Sequence, residues 1–184
     1  MHESNAYGYG THLPLLTQAL LHTTGPVLEC GGGLCSTPVA HALATLTSPQ
    51  RQVVTAEEDE NWFIELGRLY GCEWHQVMHI RSWDRFFNRM GLKWSVALVD
   101  TDDARVSGKP QCYAGRLHVL RLLSPETVTI VHDTQCPCIA ENPWWRERVA
   151  SSAFVWTHEA CGIQTTLLAA VELPILGERI WRKQ

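Results

Sequence analysis

Apolar and polar positions alternate along this chain in two rhythms. Short runs rich in Val, Ile and Thr, bounded by turn residues, occupy residues 26–30, 52–56, 76–80, 94–99, 127–132, 153–158 and 164–170. They read as buried strands. Between them, apolar positions recur every three or four residues. Residues 15–21 form such a stretch, with Pro14 suited to a first helical turn. Residues 38–46 form another, with Thr37 as cap, Pro38 in the first position and Pro49 just beyond the end. In residues 58–70, Trp62, Phe63, Leu66, Leu69 and Tyr70 share one helical face, and Gly71 stops it. Ser82 can cap a short helix that buries Phe86, Phe87 and Met90; Leu117, Leu120 and Leu123 mark one more helix before Pro125. Strand and helix in repetition predict an α/β fold with a parallel sheet covered on both faces. Only residues 159–163 separate the last two runs, which predicts an antiparallel hairpin closing the sheet. Residues 1–25 read as an arm and leading helix, and residues 26–184 as one compact domain.

This alternation gives "VLECGGGLCSTP", Val27 to Pro38, a place: the end of the first strand and the start of the following helix. In open α/β sheets, ligands bind at the carboxyl ends of the strands. Glycines there admit a ligand to the backbone, and a helix N-terminus offers unpaired N–H groups. A dinucleotide site requires G-x-G-x-x-G, but Ser36 stands in the third glycine place after Gly31 and Gly33. An adenosylmethionine site requires an acid two residues before the first glycine, which Glu29 supplies. Charge separates the two. A carboxylate repels a pyrophosphate and attracts a ligand that carries an ammonium and a sulfonium.

The other strand ends carry further candidates. Glu57 comes first after the second strand, where a carboxylate can take two ribose hydroxyls; Glu58 and Asp59 read as acids of the next helix start. After the third strand, Trp83 can stack on an adenine and Asp84 can meet its amino group, although both also suit a helix start. Asp100, Asp102 and Asp103 follow the fourth strand, and His132 and Asp133 the fifth. Asp100 and Asp133 can converge on one acceptor or one divalent cation, and His132 is the natural base. Two neighbouring buried carboxylates need compensation: a metal ion, a shared proton, or an arginine such as Arg105 or Arg116. Pro137 and Cys138 form a Pro-Cys pair, but after the fifth strand rather than the fourth, where cytosine methylation places its nucleophile. Cys136, Cys138 and His132 lack a second pair at zinc spacing.

Composition narrows the partners. Of 184 residues, 45% are hydrophobic and 18% charged, and the net charge of -4 offers no general field for nucleic acid; Arg81, Arg85 and Arg89 could make only a local patch. Residues 1–10 lack the apolar core of a signal peptide, no apolar run reaches membrane-spanning length, and seven cysteines show no disulfide framework. The expectation is a cytoplasmic protein with reduced thiols.

Together, "VLECGGGLCST", "VVTAEEDENW", "WSVALVDTDDAR" and "VTIVHDTQ" resemble, in order, the signature segments of class I S-adenosylmethionine-dependent methyltransferases. The last two resemble those of a bacterial subgroup, and "GIQTTLLAA" resembles its closing strand. The resemblance covers roughly residues 26–170. It implies a Rossmann-like three-layer sandwich, with a seven-stranded sheet of order 3-2-1-4-5-7-6 and strand seven antiparallel. It also implies that Glu29, Gly31 and Gly33 hold the methionine part of S-adenosyl-L-methionine and Glu57 its ribose. Cys35 departs from the family's third glycine. Asp-Pro-Pro-Tyr, typical of amino-group methylation of bases, is replaced by Val99-Asp100-Thr101-Asp102, which favours oxygen as acceptor. Residues 5–12, with Tyr7, Tyr9 and His12, can form a lid, and a second subunit, identical or not, can complete the acceptor site. Three other readings stay open. They are an aminopropyltransferase, a fold relative without catalysis that serves as a binding or scaffold subunit, and a nucleotide-dependent oxidoreductase, which Glu29 and Ser36 disfavour.

Overall fold

The computed structural model describes residues 10–47, 50–101, 114–174 and 182–183. Helix α1 (Leu13–His22) leads into β1 (Val27–Cys30), α2 (Ser36–Thr45), β2 (Val53–Glu57), α3 (Glu60–Tyr70), β3 (His75–His79), α4 (Trp83–Met90) and β4 (Val96–Val99). Next come α5 (Ala114–Leu122), β5 (Val128–Val131), α6 (Pro137–Ala140), α7 (Pro143–Ser151), β6 (Phe154–Ala160), β7 (Ile163–Ala169) and β8 (Arg182–Lys183). The sheet order is β3-β2-β1-β4-β5-β7-β6-β8. Strands β1 to β5 pair in parallel, and β7 is antiparallel to both β5 and β6. The expected seven-stranded order is present, and β8 adds a two-residue antiparallel strand outside β6.

The central strands β1, β2, β4 and β5 are buried at every position because helices cover both faces. Their side chains divide by the period of two. Leu28, Cys30, Val54, Ala56, Ala97 and Val99 face one core with Trp83, Phe86, Leu117, Leu120 and Trp145. Val27, Val53, Val96, Leu98 and Ile130 face the other with Leu15, Leu16, Ala19, Ala40 and Ala44. The leading helix α1 is thus part of the main core. Each buried Leu there contributes about 1.5–3 kcal/mol. Glu29 and Thr55 are the carboxyl-end members of this second set, and they pair in register on β1 and β2.

Several helix boundaries differ from the sequence expectation. Helix α2 starts at Ser36, and its N-cap, Cys35, makes no side-chain capping bond. Thr37 therefore lies inside the first turn, not at its cap. Asp59 is the N-cap of α3 and accepts from the Asn61 and Trp62 N–H groups. On α3 only Leu66 is fully buried; Trp62 and Leu69 stand 40% and 46% exposed. Helices α6 and α7 were not predicted; α7 is capped by Asn142, with Pro143 at its first position. Among the described residues, no helix is long and apolar enough to cross a membrane.

Candidate active site

Order in the sheet reverses between β1 and β4, so their carboxyl ends flank an open crevice. The residues after each strand continue the ladder. Gly31 N–H donates to the Ala56 carbonyl at 2.9 Å, Asp100 N–H to Cys30 at 2.8 Å and His132 N–H to Val99 at 3.2 Å. Glu57, Gly31, Asp100 and His132 therefore stand side by side across four strand ends.

Gly31 crosses the crevice with φ +84, where a Cβ would lie 2.6 Å from the Asp100 carbonyl oxygen. No side chain fits there. Gly33 has a different reason to be glycine: a Cβ there would meet nothing nearer than Ser36 Oγ at 4.0 Å. The space above it is open, as a ligand cradle requires.

Beneath the turn lies Glu29, 1% exposed. Its Oε2 accepts from the Thr37 hydroxyl at 2.8 Å and the Thr55 hydroxyl at 2.7 Å. Thr37 in turn accepts from Gly33 N–H at 3.0 Å, so the carboxylate positions the turn. Ser36 lies close enough to act on its charge, but Oε1 is buried with no hydrogen-bond partner among the described residues. Burial pushes the carboxyl up to about 7, against the hydroxyls of Ser36, Thr55 and Thr37. A buried carboxylate with a free oxygen is costly unless a donor or a cation meets it.

Glu57 ties the same turn to β2. Its Oε2 accepts from Gly32 N–H at 2.7 Å, and its Oε1 from Asp59 N–H at 2.8 Å. Each oxygen keeps a lone pair for another donor. Glu58 departs from its expected role, since it accepts from the Thr101 hydroxyl at 2.9 Å and so links β2 to the end of β4.

The adenine candidates have other surroundings. Trp83 is 3% exposed and packs in the core against Phe86 and Phe87, which is the role of a helix-start core residue. Asp84 is exposed and pairs with His118 of α5 at 2.9 Å.

Asp100 and Asp133 converge, as their strand positions predict. The group that joins them is Arg116 of α5, 2% exposed. It donates to Asp100 Oδ1 at 2.8 Å, Asp133 Oδ2 at 2.9 Å, the His132 carbonyl at 2.6 Å and the Thr101 carbonyl at 3.2 Å. His132 Nδ1 lies 3.1 Å from Asp100 and 3.3 Å from Asp133, and its Nε2 lies 2.7 Å from Thr11 Oγ1. Burial alone would lower His132, but hydrogen bonds and charge from Asp100 and Asp133 raise it to about 9. Burial would raise both aspartates; His132 and Arg116 hold them below their usual range instead. At neutral pH the two carboxylates, guanidinium and imidazolium sum to zero charge.

This balance supplies one of the compensations that the sequence leaves open. The compensation for Asp100 and Asp133 is Arg116 with His132, so the pair does not call for a divalent cation. One ligand atom each from His12, Asp100 and His132 lies within 4.8 Å of the others, but an ion among them would face the Arg116 guanidinium on Asp100. His132 is also charged already, and therefore a proton donor. The neutral imidazole of the cluster is His12, just before α1. It meets the His132 ring edge-on, with centroids 4.9 Å apart. Neither of its buried nitrogens has a hydrogen-bond partner among the described residues. Burial holds it down at about 4, against the pull of Asp100. Tyr7, Tyr9, Asp102, Asp103 and Arg105 lie outside the described residues.

No protein-family model and no curated protein matches the sequence. Solved structures match the fold. One is a putative caffeoyl-CoA O-methyltransferase from Staphylococcus aureus, at 12% identity and TM-score 0.56, covering 85% of this chain and 82% of that one. Another is a methyltransferase from Geobacter sulfurreducens, at 12% identity and TM-score 0.56, covering 88% and 80%. A third is cofactor-bound Rv0187 from MTB, at 18% identity and TM-score 0.53, covering 94% and 84%. These likenesses establish the Rossmann-like methyltransferase fold that the motifs implied.

Proposed function

We propose that this chain binds S-adenosyl-L-methionine over the Gly31–Gly33 turn and transfers its methyl group to an acceptor, with oxygen favoured. The observation that carries this reading is Glu29. It is a buried carboxylate under a glycine turn at the sheet's switch point, and one of its oxygens lacks a donor among the described residues. That arrangement suits a cationic ligand and opposes a pyrophosphate. The open space over Gly33 supports the same reading, as does a fold shared with methyltransferases.

When bound, adenosylmethionine supplies a methyl group made electrophilic by its sulfonium. The chain's task is to hold an acceptor in line with that group, since proximity supplies much of the rate. Glu29 acts on the cationic end, and Glu57 accepts from the ribose hydroxyls. Asp100, Arg116, His132 and Asp133 form a rigid, charge-balanced wall at the end of β4 and β5. Asp100, 24% exposed, is the member of this wall that orients the acceptor's proton. Oxygen is favoured because Asp100-Thr101 stands where amino-group methylation of bases uses Pro-Pro.

Glu57→Ala tests the ribose assignment. Loss of charge-assisted bonds should weaken adenosylhomocysteine binding by about 1.5–3 kcal/mol, roughly ten- to hundredfold. A thermal melt should confirm that the variant is folded. Unchanged affinity in a folded variant contradicts the assignment.

A further inference from the structure

Glu29 does not end at Thr55. The Thr55 hydroxyl also meets His75 Nε2 at 2.9 Å, and His75 Nδ1 meets His41 Nδ1 at 3.0 Å. His75, on β3, is fully buried. His41, on α2, is half-buried, with the rings of Trp74 and Tyr70 at 4.3 and 5.3 Å from its own. The line runs from under the glycine turn, across β2 and β3, to a residue that reaches solvent.

The chemistry orders every proton along this line. An ionised carboxylate only accepts. Thr55 must then donate to Glu29, so its oxygen accepts from His75 Nε2–H. His75 Nδ1 is left bare and accepts from His41 Nδ1–H. A Glu29 protonated on Oε2 can reverse every link. It donates to Thr55, Thr55 donates to His75 Nε2, His75 Nδ1–H donates to His41 Nδ1, and the His41 proton moves to Nε2. In both states the two imidazoles are neutral and differ only in tautomer.

We infer that Thr55, His75 and His41 form a proton relay through which Glu29 changes charge as a cationic cofactor is bound and released. The inference rests on the proposed role of Glu29 in holding that cation. The step balances. Glu29 gives its proton to Thr55, Thr55 gives its own to His75 Nε2, His75 Nδ1 gives one to His41 Nδ1, and His41 Nε2 releases one to water. One proton leaves, and the carboxylate keeps the electron pair.

The surroundings agree. Facing Glu29 are Ser36 and Thr37 of α2, Thr55 of β2 and the charge of Asp100 beyond β4, which opposes ionisation. Facing the histidines are Tyr70 of α3 and Trp74. Burial, then His41, holds His75 down at about 4, and burial lowers His41 as well. Neither imidazole is therefore charged at neutral pH, as a tautomeric relay requires. Burial raises the Glu29 carboxyl to about 7, so an arriving cation displaces a proton near neutrality.

Nitrogen-15 NMR of the imidazoles tests this directly. In the free protein, raising the pH from about 5.5 to about 8.5, across the Glu29 value, should move the His75 proton from Nδ1 to Nε2. The two nitrogens then exchange their chemical shifts. Adenosylmethionine added near the lower pH should cause the same exchange and release up to about one proton per chain, read by calorimetry in buffers of different ionisation enthalpy. Glu29→Gln should fix the tautomer against both pH and ligand. Thr55→Val, a milder cut, should uncouple His75 from both in a folded protein. A His75 that keeps one tautomer throughout, or becomes doubly protonated, overturns the relay. A protein that switches with pH but binds no adenosylmethionine keeps the relay and loses the cofactor reading. One that binds it with His75 unchanged keeps the cofactor reading and loses the relay.

Discussion

Replacing Arg116 with methionine should destabilise the fold by about 3–5 kcal/mol, read from the urea midpoint. The guanidinium is 2% exposed and spans Asp100, Asp133 and the carbonyls of His132 and Thr101. Removing it strands two largely buried carboxylates and two carbonyls without their donor. Arg116→Lys should lose less, because it keeps the charge but not the planar fork. The parent's pH profile follows from the same cluster. His132 is raised from 6.5 to about 9, so its contribution is fully present below pH 6.5 and is lost as the pH rises through about 9. Asp100 and Asp133 are held below 3.8, so theirs is present above that value and is lost in stronger acid. A folded Arg116→Met protein with the parent's midpoint would mean that the carboxylates are compensated elsewhere.

Two glycines in one turn should respond differently to alanine. Gly31→Ala puts a Cβ in a left-handed conformation, φ +84, 2.6 Å from the Asp100 carbonyl oxygen, and neither backbone can give way. The left-handed strain costs about 1–2 kcal/mol and the overpacking about 1–3 kcal/mol. The turn should lift from β4, and adenosylmethionine binding should be lost with it. Gly33→Ala meets open space. Its stability should stay within about 0.5 kcal/mol of the parent. Its affinity should still fall tenfold or more, about 1.4 kcal/mol, because the methyl occupies the cradle. Parent affinity in Gly33→Ala would contradict the placement of the ligand over this turn.

The contrast between these residues also shows what could be read from sequence. Central strands are legible because both faces are buried and their apolar runs are short and bounded. Glu29, Gly31, Glu57, Asp100, His132 and Asp133 are legible because each stands at or just after a strand end, and strand ends in a parallel sheet converge. The strand order came from the motif resemblance, since local pattern does not say which strands pair. Arg116 could be named only as one of two candidate cations, because a helix position does not show which way its side chain reaches. His12 lies 120 residues from His132, and no local pattern predicts their ring contact. Thr37 read as a cap because Ser-Thr-Pro opens a helix; its bond to Glu29 depends on how α2 lies on β1. Trp83 and Asp84 suited both a ligand and a helix start, and packing against Phe86 and the His118 pair favours the helix start. Helices α6 and α7 are short and poor in regular apolar spacing, so only Pro137 marks the first, and Asn142 with Pro143 the second.

The glycine turn above Glu29 should hold a cationic nucleoside cofactor. Calorimetry of the purified protein with adenosylmethionine, adenosylhomocysteine and NAD, each in turn, tests it most directly. The first two should bind saturably at one per chain, and NAD should not bind. Binding of NAD with no response to either adenosyl compound would contradict it.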